Sequence, residues 1–431
     1  MSTLAERQVA HIWRRLGFGP TPNDIVVGAA AGPQAVVADL LSRPLTTQAQ
    51  WGFTTATDYT AEPVWLGQLL SNMATGNPAQ ERLSWIFRNL LVIGVGDFTY
   101  VPDVREHIYR LRLDPFASYK QLVSDVTILP GMMKYLTGYK NSKQHPNQNY
   151  ARELCELFTL GRIDLVTGNT NYTETDVQEI ARALTGYTYN WSTGTIVFTP
   201  AYFDSGNKTF LGAPRGNAGV AQVIDAITQQ HSWGTHVPAR LYRELVGLEP
   251  SVATLETLRP LWTSTGDVRA VVTAICNLPD FIDDTAIGAK VKTPIELLVT
   301  AGRVLNIDMT KTDFGWQLRD IMGMHPMLPP NVGGWPAGTR WLNAGGLMCW
   351  NGFAQTLAWT ARNTANSPVA QLATVPVAQA PTEVARLGCV TDVTTSTSNA
   401  LTSYANGAKW TLDRAAGLFA LLLVSPEFAA N

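Results

Sequence analysis

The chain has 431 residues, 45% apolar and only 15% charged, so it can bury a sizeable core and is not a disordered polymer. A formal net charge of −2 and a pI near 6.3 argue against nucleic acid or an anionic membrane surface as partner. The charged fraction lies below the roughly 25% usual for soluble domains, with Thr, Asn, Gln and Ser filling the gap.

Helical periodicity dominates the chain. Leu4 to Leu16 reads as a first helix closed by Gly17-Phe18-Gly19-Pro20, and Thr21-Pro22-Asn23-Asp24 supplies an N-cap, a first-turn Pro and an acid at the third position. Helices are expected at 33–41, 64–73 and 78–95, then at 103–112, 117–127, 147–160 and 174–185. Strand alternation is confined to 187–212, where Tyr187 to Trp191 and Thr195 to Thr199 flank a Ser192-Thr193-Gly194 loop. Helices resume at 218–229, 237–246, 251–263, 267–277, 293–305, 313–323, 344–362 and 410–424. Residues 366–408, rich in Ala, Thr, Val, Ser and Pro, read as an irregular arm or linker. The expected fold is mainly α: a large multi-helical domain over 1–365 with a β-hairpin insertion at 187–212, an irregular late segment at 366–408, and a C-terminal helix in 409–431 packing back on the core.

Cys155, Cys276, Cys349 and Cys389 are far apart and form no metal-ligand spacing. The N-terminal residues lack the apolar stretch of a secretory signal, and no run approaches the roughly 18 apolar residues of a membrane span. No membrane insertion is expected, and oligomeric state and compartment stay open.

Two successive helices carry a concentration of charge. Asn149, Arg152, Glu153 and Glu156 lie on the first, and Asp176, Glu179 and Arg182 on the second, all among apolar residues. Buried charges must be paired, so these helices read as the polar centre of the molecule. Along each helix, Arg152 is spaced to pair with Glu156 and Arg182 with Glu179.

Several segments resemble, in order, the bacterial family known as domain of unknown function 1800. They begin with His11-Ile12-Trp13-Arg14-Arg15-Leu16-Gly17-Phe18-Gly19-Pro20-Thr21-Pro22 and include Asn149-Tyr150-Ala151-Arg152-Glu153-Leu154-Cys155-Glu156-Leu157-Phe158-Thr159-Leu160-Gly161. Ala181-Arg182-Ala183-Leu184-Thr185-Gly186, Lys208 to Gly212, Val291 to Glu296, Pro329 to Pro336 and Ser425 to Phe428 extend the likeness over nearly the whole chain. The resemblance implies an α-rich fold and no established reaction, cofactor or catalytic residue. Where the family tends to carry a Trp-His-Asn-His-Phe-like segment, this chain has Trp85-Ile86-Phe87-Arg88-Asn89-Leu90, and a His that often precedes Asp-x-Gly-x-Lys is Phe203 here.

Glu153 and Glu156, three apart on one helix face, are the candidate catalytic pair, because two carboxylates can divide acid and base roles as in glycoside hydrolysis. The competing reading is a structural network in which Arg152 and Arg182 neutralise Glu156 and Glu179. His11 and Arg15 either reach that network or dock the opening helix. Trp335, with Trp341 and Trp350, forms either an aromatic platform for sugars or a loop pinned by indoles. The six histidines show no HExxH pair, so no metal is expected, although an all-oxygen site from Glu174, Asp176 or Asp204 stays open. The chain has neither a Gly-x-Ser-x-Gly elbow nor a phosphate-binding loop, so no cofactor is expected. Two functions follow: a hydrolase-like enzyme acting on an extracellular polymer such as a glycan, or a non-catalytic, self-assembling subunit of a virion or surface layer.

Overall fold

The computed structural model describes residues 2–52, 62–95, 101–311, 314–320 and 322–430. Its helices run in chain order as α1 (Leu4–Arg15), α2 (Pro22–Ala31), α3 (Pro33–Ser42), α4 (Glu62–Thr75), α5 (Pro78–Arg88), α6 (Val101–Leu113), α7 (Tyr119–Thr127) and α8 (Pro130–Tyr135). Next come α9 (Asn149–Glu153), continued without a break by a wide π-turn over Leu154–Thr159, and α10 (Glu174–Ala183). After two hairpins follow α11 (Val220–Thr228), α12 (His236–Val246), α13 (Val252–Trp262), α14 (Val268–Asn277), α15 (Pro294–Val304) and α16 (Phe314–Asp320). The last are α17 (Ala344–Arg362), α18 (Pro368–Ala373), α19 (Ala380–Leu387), α20 (Thr395–Asn406), α21 (Leu412–Leu423) and α22 (Pro426–Ala429).

Local chemistry explains many of the starts. Thr3 with Glu6, Thr21 with Asp24 and Thr173 with Asp176 form capping boxes in which each side chain satisfies the other residue's backbone N–H, and Glu296 accepts from the Thr293 N–H at the start of α15. Behind these entrances a continuous apolar core runs from Val9 on α1 to Phe428 on α22. α1 packs on α2 and α3, α4 on α5, α15 and α16, and α17 on α21. No single helix among the described residues is long and apolar enough to cross a membrane.

The β insertion holds two separate antiparallel hairpins. β1 (Tyr187–Asn190) pairs with β2 (Thr195–Phe198), Tyr187 opposite Phe198, and β3 (Lys208–Phe210) pairs with β4 (Ala213–Gly216) through a bulged register. The mainly α class with a small β-hairpin insertion is therefore the observed fold.

Two expectations need correction. The helix expected over 78–95 ends at Arg88, and Leu90 to Ile93 continue as buried non-helical chain toward Val95, whose N–H donates to the Met327 carbonyl at 2.8 Å. A β-branched Val92-Ile93 pair followed by Gly94 gives little helical support past Asn89. The irregular arm expected at 366–408 is instead α18, α19 and α20, which gather around α21. Ser367 and Thr394 cap two of these helices, and tertiary packing of a few apolar residues such as Val369, Leu372, Val384 and Leu401 overrides a Thr/Ser-rich composition. Of the helix expected at 313–323, residues 313 and 321 lie outside the described residues.

Candidate functional site

The entrance to α9 is a polar turn. Thr137 has φ +57°, and its hydroxyl accepts from the side-chain amides of Asn147 (2.8 Å) and Asn149 (3.2 Å), while the Asn147 N–H donates to Asn141 Oδ1 at 2.8 Å. Asn149 is thus committed to holding the chain where it enters the helix.

The π-turn that follows loosens the backbone ladder, with the N–H groups of Leu160 and Gly161 both donating to the Cys155 carbonyl, at 2.9 and 3.0 Å. Such a turn leaves carbonyls in need of donors, and side chains supply them. The Thr159 hydroxyl donates to the Leu154 carbonyl at 2.5 Å, Tyr119 to Phe158 at 2.7 Å, and His236 through Nε2 to Leu157 at 3.2 Å. Gly161 closes the turn with φ +74°, and a Cβ there would lie 2.5 Å from His236 Nδ1. Gly161→Ala is accordingly expected to destabilise the protein by about 1–3 kcal/mol, read by chemical denaturation.

The carboxylates of Glu153 and Glu156 sit at this turn, both half-buried. Glu156 Oε2 accepts from the Tyr172 hydroxyl at 2.9 Å. Burial and then the hydrogen bond to Glu156 raise the Tyr172 pKa, so the phenol stays a donor. Glu153 has no hydrogen bond or ion pair among the described residues, and burial, followed by the negative charge of Glu156, raises its carboxyl above the ordinary value. The two glutamates therefore differ in kind: one is unpaired and inclined to keep its proton, the other is hydrogen-bonded as an acceptor. Cys155 between them is fully buried, its thiol pushed up to about 12 by burial, and is not a nucleophile.

Arg152 does not pair with Glu156. It reaches across to α10 and binds Glu174 through two parallel bonds of 2.7 and 2.6 Å. The wide turn after Glu153 takes Glu156 off the stripe that a regular helix would place four residues beyond Arg152. On α10, Arg182 does pair with Glu179, at 2.8 Å, and also grips Asp204 through Nε at 2.8 Å. The Thr209 N–H donates to Glu179 at 3.2 Å and the Leu211 N–H to Asp176 at 2.7 Å. Asp176, Glu179 and Arg182 thus fasten β3 and its approach loop to α10. Hydrogen bonding from Arg182 holds the Asp204 carboxyl below its ordinary value.

The fully buried charges lie elsewhere. Arg82 on α5 pairs with Glu296 on α15, with side chains 1% and 3% exposed, and Lys290 binds Glu244 and lies 3.6 Å from Glu296. Both the N–H and the hydroxyl of Thr293 donate to Glu296 at 2.8 Å. His11 and Arg15 belong to this region: Arg15 donates to the Ala286 carbonyl at 3.2 Å, and His11 meets Phe281 edge-on at 5.4 Å. Both dock α1 against 281–286, away from the glutamate pair. A second buried pair joins Glu81 and Arg112.

Trp335 is half-buried. Its N–H donates to Asn89 Oδ1 at 2.6 Å, its carbonyl accepts from Asn89 Nδ2 at 3.2 Å, and its ring lies 6.1 Å from Trp341. Trp350 is separate and buried, donating to the Leu423 carbonyl at 2.8 Å. Trp335 and Asn89 also border a cavity of about 20 Å³ with Trp85, Arg88 and His107, room for one water molecule. Among the described residues no three His, Cys, Asp or Glu side chains converge as a metal site, and the four cysteines are free thiols.

Sequence reasoning missed Tyr172 and Tyr119. A Tyr just before the Thr173 capping box was a usable signal for the first, and nothing local marks the second. No curated protein and no solved structure matches the chain. The family described as "Protein of unknown function (DUF1800)" matches residues 11–430, and the chain belongs to it.

Proposed function

We propose that the protein is a hydrolase-like enzyme acting on an extracellular polymer, with a glycan as the favoured substrate class, and that Glu153 and Glu156 are its acid–base pair. The observation that carries this reading is the unequal environment of the two carboxylates. Glu153, raised by burial and by its neighbour, delivers a proton to the departing oxygen, and Glu156, oriented by the Tyr172 hydroxyl, acts on the opposite side as base or nucleophile. The π-turn sets their relative position, and Tyr119, Thr159 and His236 hold that turn rigid from beneath.

A glycan is favoured by aromatic surface near the same stretch of chain. Trp191, 59% exposed at the end of β1, is braced edge-on by Tyr189 at 4.7 Å and Tyr139 at 6.0 Å. Tyr139 lies between Thr137 and Asn141 of the polar turn that leads into α9, so the Trp191 cluster rests on the chain that enters that helix. The alternative of a self-assembling subunit loses the free arm that would have supported it, because α18 to α20 pack on α21 of their own chain.

The test is a screen of polysaccharides against the wild type, Glu153→Gln and Glu156→Gln. Each substitution is expected to lower turnover by roughly 10²–10⁴-fold. The melting temperature of Glu153→Gln should hold or rise slightly, because that carboxylate has no partner to lose. Turnover unchanged in both variants would sink the assignment.

A further inference from the structure

Away from the glutamate pair, α17, α20 and α21 enclose a cleft of about 550 Å³, within the range of small-molecule sites. Asn351, Gln355 and Trp359 recur every four residues on α17 and form one wall. The floor is made of small residues, Ala358, Gly417 and Ala420. Gly417 is required there, since a Cβ would lie 1.8 Å from the Tyr404 hydroxyl that leans on α21.

The polar groups of this cleft are only partly spoken for. Arg362 stacks on Trp359 at 5.3 Å and pairs with Asp413, so that carboxylate is neutralised. Arg414 lies 3.7 Å over the Tyr404 ring and donates to the Tyr404 carbonyl, with no carboxylate partner among the described residues. Asn351, Gln355 and the Lys409 ammonium have no hydrogen bond or ion pair among the described residues. Trp359 is 46% exposed. A stacking indole, two free amides and an excess of positive charge form a constellation suited to a sugar ring bearing an acid group: the indole takes its C–H face, the amides its hydroxyls, and the cations its carboxylate.

We propose that this cleft is a binding site for acidic saccharides, distinct from the acid–base pair. Isothermal titration of the intact chain with uronate- and sialate-containing oligosaccharides, and with their neutral counterparts, tests it. The expected result is binding of an acidic oligosaccharide at least about tenfold tighter than its neutral counterpart, weakening with added salt. Trp359→Ala should reduce affinity at least about tenfold and Lys409→Gln several-fold. Both positions are exposed, so an unchanged melting temperature would show that the variants fold. Binding should survive in Glu153→Gln, which separates this site from the proposed catalytic one. Failure of every acidic sugar to bind, equal binding of neutral sugars, full binding in Trp359→Ala, or loss of binding in Glu153→Gln would each overturn the proposal.

Discussion

Replacing Glu296 by Gln is expected to cost about 3–5 kcal/mol of stability, a larger loss than any single change at the glutamate pair. Among the described residues, Arg15, Arg82 and Lys290 gather around two carboxylates, Glu244 and Glu296. Against the burial that would raise it, Lys290 and Arg82 hold the Glu296 carboxyl far below the usual carboxylate range. The strain on the cations shows at Arg15, which burial and the nearby Arg82 bring down to about 9. Without Glu296, Arg82 and Lys290 would remain desolvated, with Glu244 as the one counter-charge left to them among the described residues. Urea denaturation of Glu296→Gln beside Glu174→Gln makes the comparison, because Glu174 binds Arg152 in solvent and its loss should leave the midpoint essentially unchanged. Equal midpoints for the two variants would show that the buried cluster does not hold α1, α5 and α15 together.

Acid should destabilise the fold well before most carboxylates titrate. Burial lowers His107 and His236 to about 4, and each donates through Nε2, to the Leu91 carbonyl at 2.7 Å and to Leu157 at 3.2 Å respectively. The unfolded chain binds these protons near the ordinary value of about 6.5, whereas the folded chain resists until about 4. The unfolded state therefore holds more protons across that window, and stability falls as the pH drops through it. Each histidine contributes a loss of about 3 kcal/mol, nearly complete at pH 4 and absent above pH 7. Denaturation midpoints at pH 7.5 and 4.5 should differ accordingly, and the double variant His107→Gln/His236→Gln should flatten the dependence. A midpoint independent of pH in the wild type would contradict the neutral state of both rings.

The architecture was largely legible because periodicity and caps are local. Thr21-Pro22-Asn23-Asp24 and Thr173-Glu174-Thr175-Asp176 announce helix starts within four residues, and both boxes form. The late helices were hidden by composition, although Ser367-Pro368 carried a usable start signal. The π-turn left no trace in the sequence, since its donors come from residues as distant as Tyr119 and His236. The buried charges were illegible for a similar reason: Arg15, Arg82, Glu244 and Glu296 sit on ordinary helices and Lys290 in the chain before α15, and only packing brings them together. Charge density drew attention to Arg152, which ties its helix to α10, and to Glu179 and Arg182, which hold a surface insertion, while the sparser charges formed the interior. Glu153 and Glu156 were conspicuous as a pair, but their inequality depends on Tyr172, sixteen residues beyond Glu156.

The most direct measurement is an NMR titration of the Glu153 side-chain carboxyl carbon in the wild type and in Glu156→Gln. The acid–base account predicts that Glu153 titrates above the ordinary carboxylate value in the wild type and moves down when the neighbouring charge is removed. Titration of Glu153 at an ordinary value in both proteins would contradict it, leaving the two glutamates as surface carboxylates on a structural turn.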